Sequence, residues 1–297
     1  MVMTFRTSLA TFMLGLLFPT VGLAQPALPA SFITDLEALQ ARLESGDMAF
    51  VSERAATQAE RLAGGNPADR WARALYLQLA ARAAARDERP AEAADLLADA
   101  RAVEAAPAEW RRRRLQEEIG LRQTAGQWER ALSLLEEGLD ASAEADIWRR
   151  AASVAQRADE VGRASAIWDA GWRLGVLKGR EDLLTLIRLH LAGGTPARGA
   201  ERLEEAITSG ELADDLANRR LLAQAWQAAR DRSAALEAWQ SLAQRSDDGQ
   251  DWLHLGQLAL AWGESELAQR ALQEAKARGA ERAETLLASL DEGTQRD

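Results

Sequence analysis

Apolar and small residues return along this chain at the spacing of helical hairpins. Between Gly249 and Arg282, Trp252, Leu255, Gly256, Ala268 and Ala275 stand at positions 4, 7, 8, 20 and 27 of a 34-residue stretch. Steps of three and four residues place such side chains on one face of a helix. Two helices joined by a turn cannot bury that face alone, so the pattern predicts a stack of like units. Aligning the small residue at position 20 gives Val51, Ala93, Ala131, Ala164, Gly199, Ala235 and Ala268. Their intervals are 42, 38, 33, 35, 36 and 33 residues, regular from Ala131 onward and loose before it.

Bulkier residues and breaks follow the same frame. Trp148 and Trp252 fall at position 4, Trp226 at position 11, and Trp168 and Trp239 at position 24. These five read as core, each able to bury roughly 150 to 250 Å². Gly126, Gly194 and Gly263 end first helices, while Gly64-Gly65-Asn66-Pro67, Pro107 and Asp247-Asp248-Gly249 separate units. Near the end, Ala283, Leu286, Leu287 and Leu290 form one apolar stripe beside the polar Glu281, Arg282, Glu284 and Asp291. That is the pattern of a helix closing the open end of a stack.

The unit at 249–282 resembles a tetratricopeptide repeat. The resemblance implies an all-α fold, a right-handed α-solenoid of stacked helix-turn-helix units with a C-terminal capping helix. It also implies that position 20 lies where two helices cross, where a large side chain would cost about 1 to 3 kcal/mol. Residues 31–70 read as a divergent N-terminal helical pair, 71–282 as a solenoid of about six units, and 283–297 as capping helix and tail.

Composition supports helices and bears on location. Ala, Leu, Arg, Glu and Gln dominate and β-branched residues are scarce. Residues 1–24 read as a cleaved secretory signal: Arg6, an apolar stretch from Leu9 to Phe18, then Gly22-Leu23-Ala24. A short linker, 25–30, follows, and the apolar run falls short of the roughly 20 residues of a membrane anchor. The chain has no cysteine, which excludes disulfides, thiolate metal sites and cysteine nucleophiles and suits an oxidising compartment. The expected location is a bacterial periplasm, with no membrane insertion of the mature chain. A formal charge of -10 disfavours nucleic acid as a partner.

Candidate chemistry is sparse. The two histidines, His190 and His254, lack ligand partners one turn on and read as structural. There is no nucleophile elbow, phosphate-cradling loop or dinucleotide fingerprint. The acidic pairs Glu117-Glu118, Glu136-Glu137, Glu204-Glu205, Asp214-Asp215 and Asp247-Asp248 read as solvated helix faces or helix starts. No enzyme activity, cofactor or metal is expected.

In the repeat that the chain resembles, positions 2, 5, 9, 12 and 13 line the concave side. Counted over units beginning at Ala74, Arg112, Ala145, Arg180, Leu216 and Gly249, these positions hold seven arginines against only Asp146 and Glu181. The whole chain has 46 acidic and 36 basic residues, so the face inverts the overall sign. The expected groove comprises Arg82, Arg86, Gln116, Gln123, Arg149, Gln156, Arg157, Arg188, Arg220, Gln224, Gln227 and Gln257. Arginine forks would take carboxylates of an acidic partner segment, and glutamines its backbone amides. Charge reversal at Arg149 and Arg220 is then expected to abolish capture without loss of helix.

A narrower resemblance covers Leu183 to Ala275. The phrases Ala192-Gly193-Gly194-Thr195-Pro196-Ala197, Leu221-Leu222-Ala223-Gln224-Ala225-Trp226 and Ser246-Asp247-Asp248-Gly249 look like the periplasmic tetratricopeptide protein of bacterial Ton energy-transducing systems. This implies a scaffold or adaptor that binds envelope proteins or peptide segments, with ExbB, ExbD and TonB-type components among them. An adaptor in outer-membrane assembly or exopolysaccharide export is the alternative, and the helical superstructure of an enzyme a lesser one.

Overall fold

The computed structural model describes residues 27–294, so the expected signal at 1–24 lies outside the described residues. Fifteen α-helices and no strands occur among those described. They are α1 Ala30–Glu44, α2 Met48–Arg61, α3 Pro67–Arg86, α4 Pro90–Arg101, α5 Ala108–Thr124, α6 Trp128–Glu136, α7 Ala145–Arg157 and α8 Val161–Arg173. Then come α9 Arg180–Ala192, α10 Pro196–Thr208, α11 Leu216–Ala228, α12 Arg232–Ser246, α13 Gly249–Ala261, α14 Ser265–Ala277 and α15 Arg282–Thr294. The fold class is the expected one, an all-α solenoid type built of helical hairpins. No described helix is long and apolar enough to cross a membrane.

The hairpins share one turn. Two residues beyond the end of each odd-numbered helix from α1 to α13, the backbone is left-handed, at Gly46, Glu88, Gly126, Asp159, Gly194, Arg230 and Gly263. Gly126, Gly194 and Gly263 are the breaks that the sequence announces. Glu88, Asp159 and Arg230 adopt the same conformation at a steric cost that glycine avoids. The starts of units are capped more conventionally. Asn66 accepts from the amides of Ala68 and Asp69 in a capping box with Pro67 at N1, and Asp215 and Asp248 accept from Asn218 and Gln250.

The chain divides into two compact units, Met1–Glu88 with Asp95–Arg114 and Arg89–Ala94 with Leu115–Asp297. In the first, Leu39, Leu43, Val51 and Ala55 share one core with Tyr76, Leu77, Ala80 and Ala83. The first helical pair is therefore continuous in packing with α3, and no break in the core falls at residue 70. Tyr76 anchors it by donating its hydroxyl to Asp35 at 2.8 Å.

In the second unit, each helix from α6 to α15 packs on the next. The small residues at position 20 account for the closeness. Val51, Ala93, Ala131, Ala164, Ala235 and Ala268 are fully buried across the two units. At Gly199 a Cβ would stand 3.2 Å from the Ile187 carbonyl, and at Gly256, position 8 of the last unit, only 2.7 Å from the Leu272 side chain. Of the five tryptophans read as core, Trp148, Trp168, Trp239 and Trp252 are buried and Trp226 is half-buried against the Leu203 cluster. At the C-terminal end Ala283, Leu286, Leu287 and Leu290 of α15 close over the cluster of Trp252 and Leu272, as the stripe predicts.

Candidate functional site

Side chains on the first helices of successive hairpins meet one another, and this decides which expected groove residues are free. Arg149 on α7 grips Asp182 on α9, Nε to Oδ1 at 3.1 Å and Nη2 to Oδ2 at 2.9 Å. Arg220 on α11 repeats the contact on Asp251 of α13 at 2.6 Å. Both arginines stand at position 5 of their units and both aspartates at position 3 of the next. Asp182 also accepts from the amide of Lys178 at 3.0 Å. The Arg149 guanidinium beside it, more than that amide, holds its carboxyl below the usual range despite burial. These two arginines thus join hairpins, and reversing their charge would break the stack as well as any groove.

Gln227 is likewise spent internally. Its side-chain oxygen accepts from Trp239 Nε1 at 2.9 Å and lies 3.0 Å from His254 Nε2. Indole N–H can only donate, so the shared atom is oxygen and His254 donates Nε2–H. The ring of His254 sits 4.1 Å from that of Trp239, and burial lowers its pKa. Arg86, in the first unit, donates to the Leu43 carbonyl at 3.1 Å. Gln156, Arg188 and Gln224 are exposed, and Gln257 is half-buried.

The remaining groove residues of the second unit converge between α5 and α7. A cleft of about 400 Å³ is lined by Gly120, Gln123, Thr124, Ser153 and Arg157, all concave-side positions, together with Trp128, Arg150 and Val154. Arg150 stands at position 6, outside the expected set. It donates to Gln116 at 3.3 Å and to Gln123 at 2.9 Å, two neutral amides from the preceding hairpin. Arg157 lies over the Trp128 ring at 5.2 Å. Among the described residues neither guanidinium has a carboxylate partner, unlike Arg149 and Arg220.

In the first unit the corresponding face is apolar. A cleft of about 430 Å³ between α1 and α3 has Leu36, Leu75 and Leu79 in its lining, with Glu37, Gln78 and Arg82 among its polar groups. Arg82 is thus placed beside an apolar groove rather than a basic one.

The acidic pairs divide their roles. Asp215 and Asp248 cap helices, as expected of helix starts, while the residue before each ties down an arginine from the following hairpin. Asp214 accepts from Arg245 and Asp247 from Arg278, at 2.8 and 2.6 Å. Glu118 departs from expectation: it is buried rather than solvated, with Arg122 one turn on at 2.7 Å. A buried carboxylate needs such a partner, and the i,i+4 spacing to Arg122 was the available sign. No group of three or more metal-ligating side chains occurs among the described residues.

No protein-family profile matches the sequence, and no curated protein matches it either. Solved structures do. The chain is similar to YrrB, described as a tetratricopeptide repeat protein with an unusual peptide-binding site, at 17% identity over 59% of this chain and 90% of that one, with a TM-score of 0.38. It is also similar to a tetratricopeptide repeat protein of Parabacteroides merdae ATCC 43184, at 15% identity over 88% of this chain and 99% of that one, with a TM-score of 0.38. A complex of Naa15 and Naa10 with HypK-THB gives 15% identity, 87% and 42% coverage and a TM-score of 0.45.

Proposed function

We propose that the protein is a non-enzymatic interaction scaffold that captures an acidic, extended segment of a partner in the α5–α7 cleft. The observation that carries this reading is the pair Arg150 and Arg157, whose charges meet only amide oxygens and an indole face. A guanidinium held in place without a counter-charge offers its fork to an incoming carboxylate with little reorganisation. Gln123, already polarised by Arg150, sits where it can meet the segment's backbone, and Trp128 supplies apolar area at the rim.

Envelope proteins are the proposed partner class, in a periplasmic setting, and Ton-type components are the first to test, on the strength of the phrases at 192–197, 221–226 and 246–249. The direct test measures binding of a fluorescent glutamate-rich peptide by anisotropy. Arg150→Glu with Arg157→Glu should weaken it at least tenfold while far-UV circular dichroism is unchanged, and added salt should weaken the parent protein's binding. Equal affinity in the double variant would sink the cleft as the site. Crosslinking in intact cells, followed by identification of what is captured, distinguishes Ton components from assembly or export machinery.

A further inference from the structure

A second cleft opens on the other set of helices, between α8 and α10, with His190 of α9 beneath it. Its volume is about 350 Å³. On α10, Arg198, Glu201, Arg202 and Glu205 share one face at steps of three and four residues; Asp169 and Arg173 face them from α8.

The histidine is held in an unusual way. Thr195 occupies the N-cap of α10, where a hydroxyl ordinarily accepts from the first turn, yet it makes no such bond. Its Oγ1 instead lies 2.9 Å from His190 Nδ1. The ring is fixed by that nitrogen, and the other, Nε2, is buried with no hydrogen-bond partner. The nearest carboxylate oxygen, on Asp169, is 3.8 Å away, beyond hydrogen-bond reach. His190 itself is only 2% exposed, so this is a polar atom withdrawn from solvent at a cleft and left unused.

The charges around it are unevenly committed. Asp169 is matched by Arg173 at 3.1 Å, and Glu205 takes one arm of Arg202 at 2.9 Å. Arg198 has no ion-pair partner among the described residues, and the exposed Glu201 is the one opposing charge also without one. Three guanidiniums face three carboxylates, so a proton on His190 turns the balance positive.

We propose that this cleft binds a small oxyanion, a carboxylate or phosphate group, held by Arg198 and Arg202 with His190 Nε2 donating to it. The Thr195 hydroxyl can donate to the His190 carbonyl at 3.4 Å and so accept from Nδ1–H, and the doubly protonated ring then has Nε2–H to give to the anion. Planar guanidinium forks suit both anions, so the group can come from a free anion or from an acidic side chain of a partner. The site lies apart from the α5–α7 cleft and does not depend on that reading.

The chain has only two histidines, so ring ¹⁵N–¹H spectra of the labelled protein report His190 with His254 as internal control. Inorganic phosphate and N-acetyl-glutamate amide are titrated separately against sodium chloride of equal ionic strength. The expected result is a saturable shift of His190 with at least one probe, none for His254, and a raised His190 pKa at saturation. The carboxylate should bind several-fold more tightly at pH 5.5 than at pH 8. Arg198→Ala with Arg202→Ala should remove the response with unchanged circular dichroism. Saturation by phosphate points to a free anion, and by the glutamate probe alone to a partner's side chain. No shift with either up to tens of millimolar, or an equal shift in the double variant, overturns the proposal.

Discussion

Arg149 and Asp182 meet across two successive hairpins through two parallel hydrogen bonds, at 3.1 and 2.9 Å. The aspartate is nearly buried, at 6% exposure, while the arginine keeps a solvent-facing side, so the carboxylate depends on the pair more than the guanidinium does. Asp182→Ala should therefore destabilise the second unit by about 1 to 3 kcal/mol, since it strips the Lys178 amide as well as Arg149. Asp251→Ala should do the same to a smaller degree. Urea unfolding followed by circular dichroism reads both, and a loss below about 0.3 kcal/mol for Asp182→Ala would refute the role of the pair.

Acid should act on this pair and on the histidines in separate windows. Asp182 has its folded pKa depressed, so its stabilisation is present above the unfolded value near 3.9 and fades as pH falls through the lower folded value. His190 and His254 are also depressed, by burial, and are bases stabilised in the neutral form. Their contribution is present above the unfolded value of about 6.5 and is lost as pH falls through their folded values. Stability measured against pH should decline first below about 6.5 and again below about 4. His254→Gln should flatten the first decline and leave the second.

Two helix glycines should respond oppositely to alanine. Nothing lies within 4 Å of a Cβ at Gly120, so Gly120→Ala gains helix propensity, about 0.5 to 1 kcal/mol. At Gly256 the new carbon would press on the buried Leu272, and overpacking of about 1 to 3 kcal/mol outweighs that gain. Thermal denaturation should raise Tm for the first and lower it for the second. Because Gly120 also lines the α5–α7 cleft, a bulkier Gly120→Leu should reduce peptide capture without unfolding.

Arg230 stands in the left-handed region at φ 57°. Arg230→Gly should relieve roughly 1 to 2 kcal/mol of backbone strain against an entropy loss of roughly 0.5 to 1 kcal/mol. The net expectation is a gain of about 0.5 kcal/mol in urea. A loss of more than that would refute the strain assigned to Arg230.

Much of the hairpin architecture was legible because it is written in excluded volume. Ala131, Ala164 and Ala268 recur where helices cross, and glycine at 126, 194 and 263 marks turns that a side chain resists. Turns at Glu88, Asp159 and Arg230 were not, because there the packing on both sides imposes a conformation that the residue itself disfavours. The groove was legible only in part. The register located Gln123, Ser153 and Arg157 on one face, yet it could not distinguish Arg149, neutralised by Asp182, from Arg150, which has only amides.

The sequence by itself determined the class of helices, the places where they cross, the turns that need glycine and the closing stripe of α15, since each follows from local periodicity and side-chain size. The tertiary structure decided which charges are spent. Residues about 31 to 33 positions apart, such as Arg220 with Asp251 and Arg149 with Asp182, become neighbours only when hairpins stack. An ion pair of that kind consumes a binding group without leaving a local mark on the chain. Closure of the α9–α10 hairpin likewise sets His190 against Thr195 and brings the arginines of α10 beside it, which no single helix specifies.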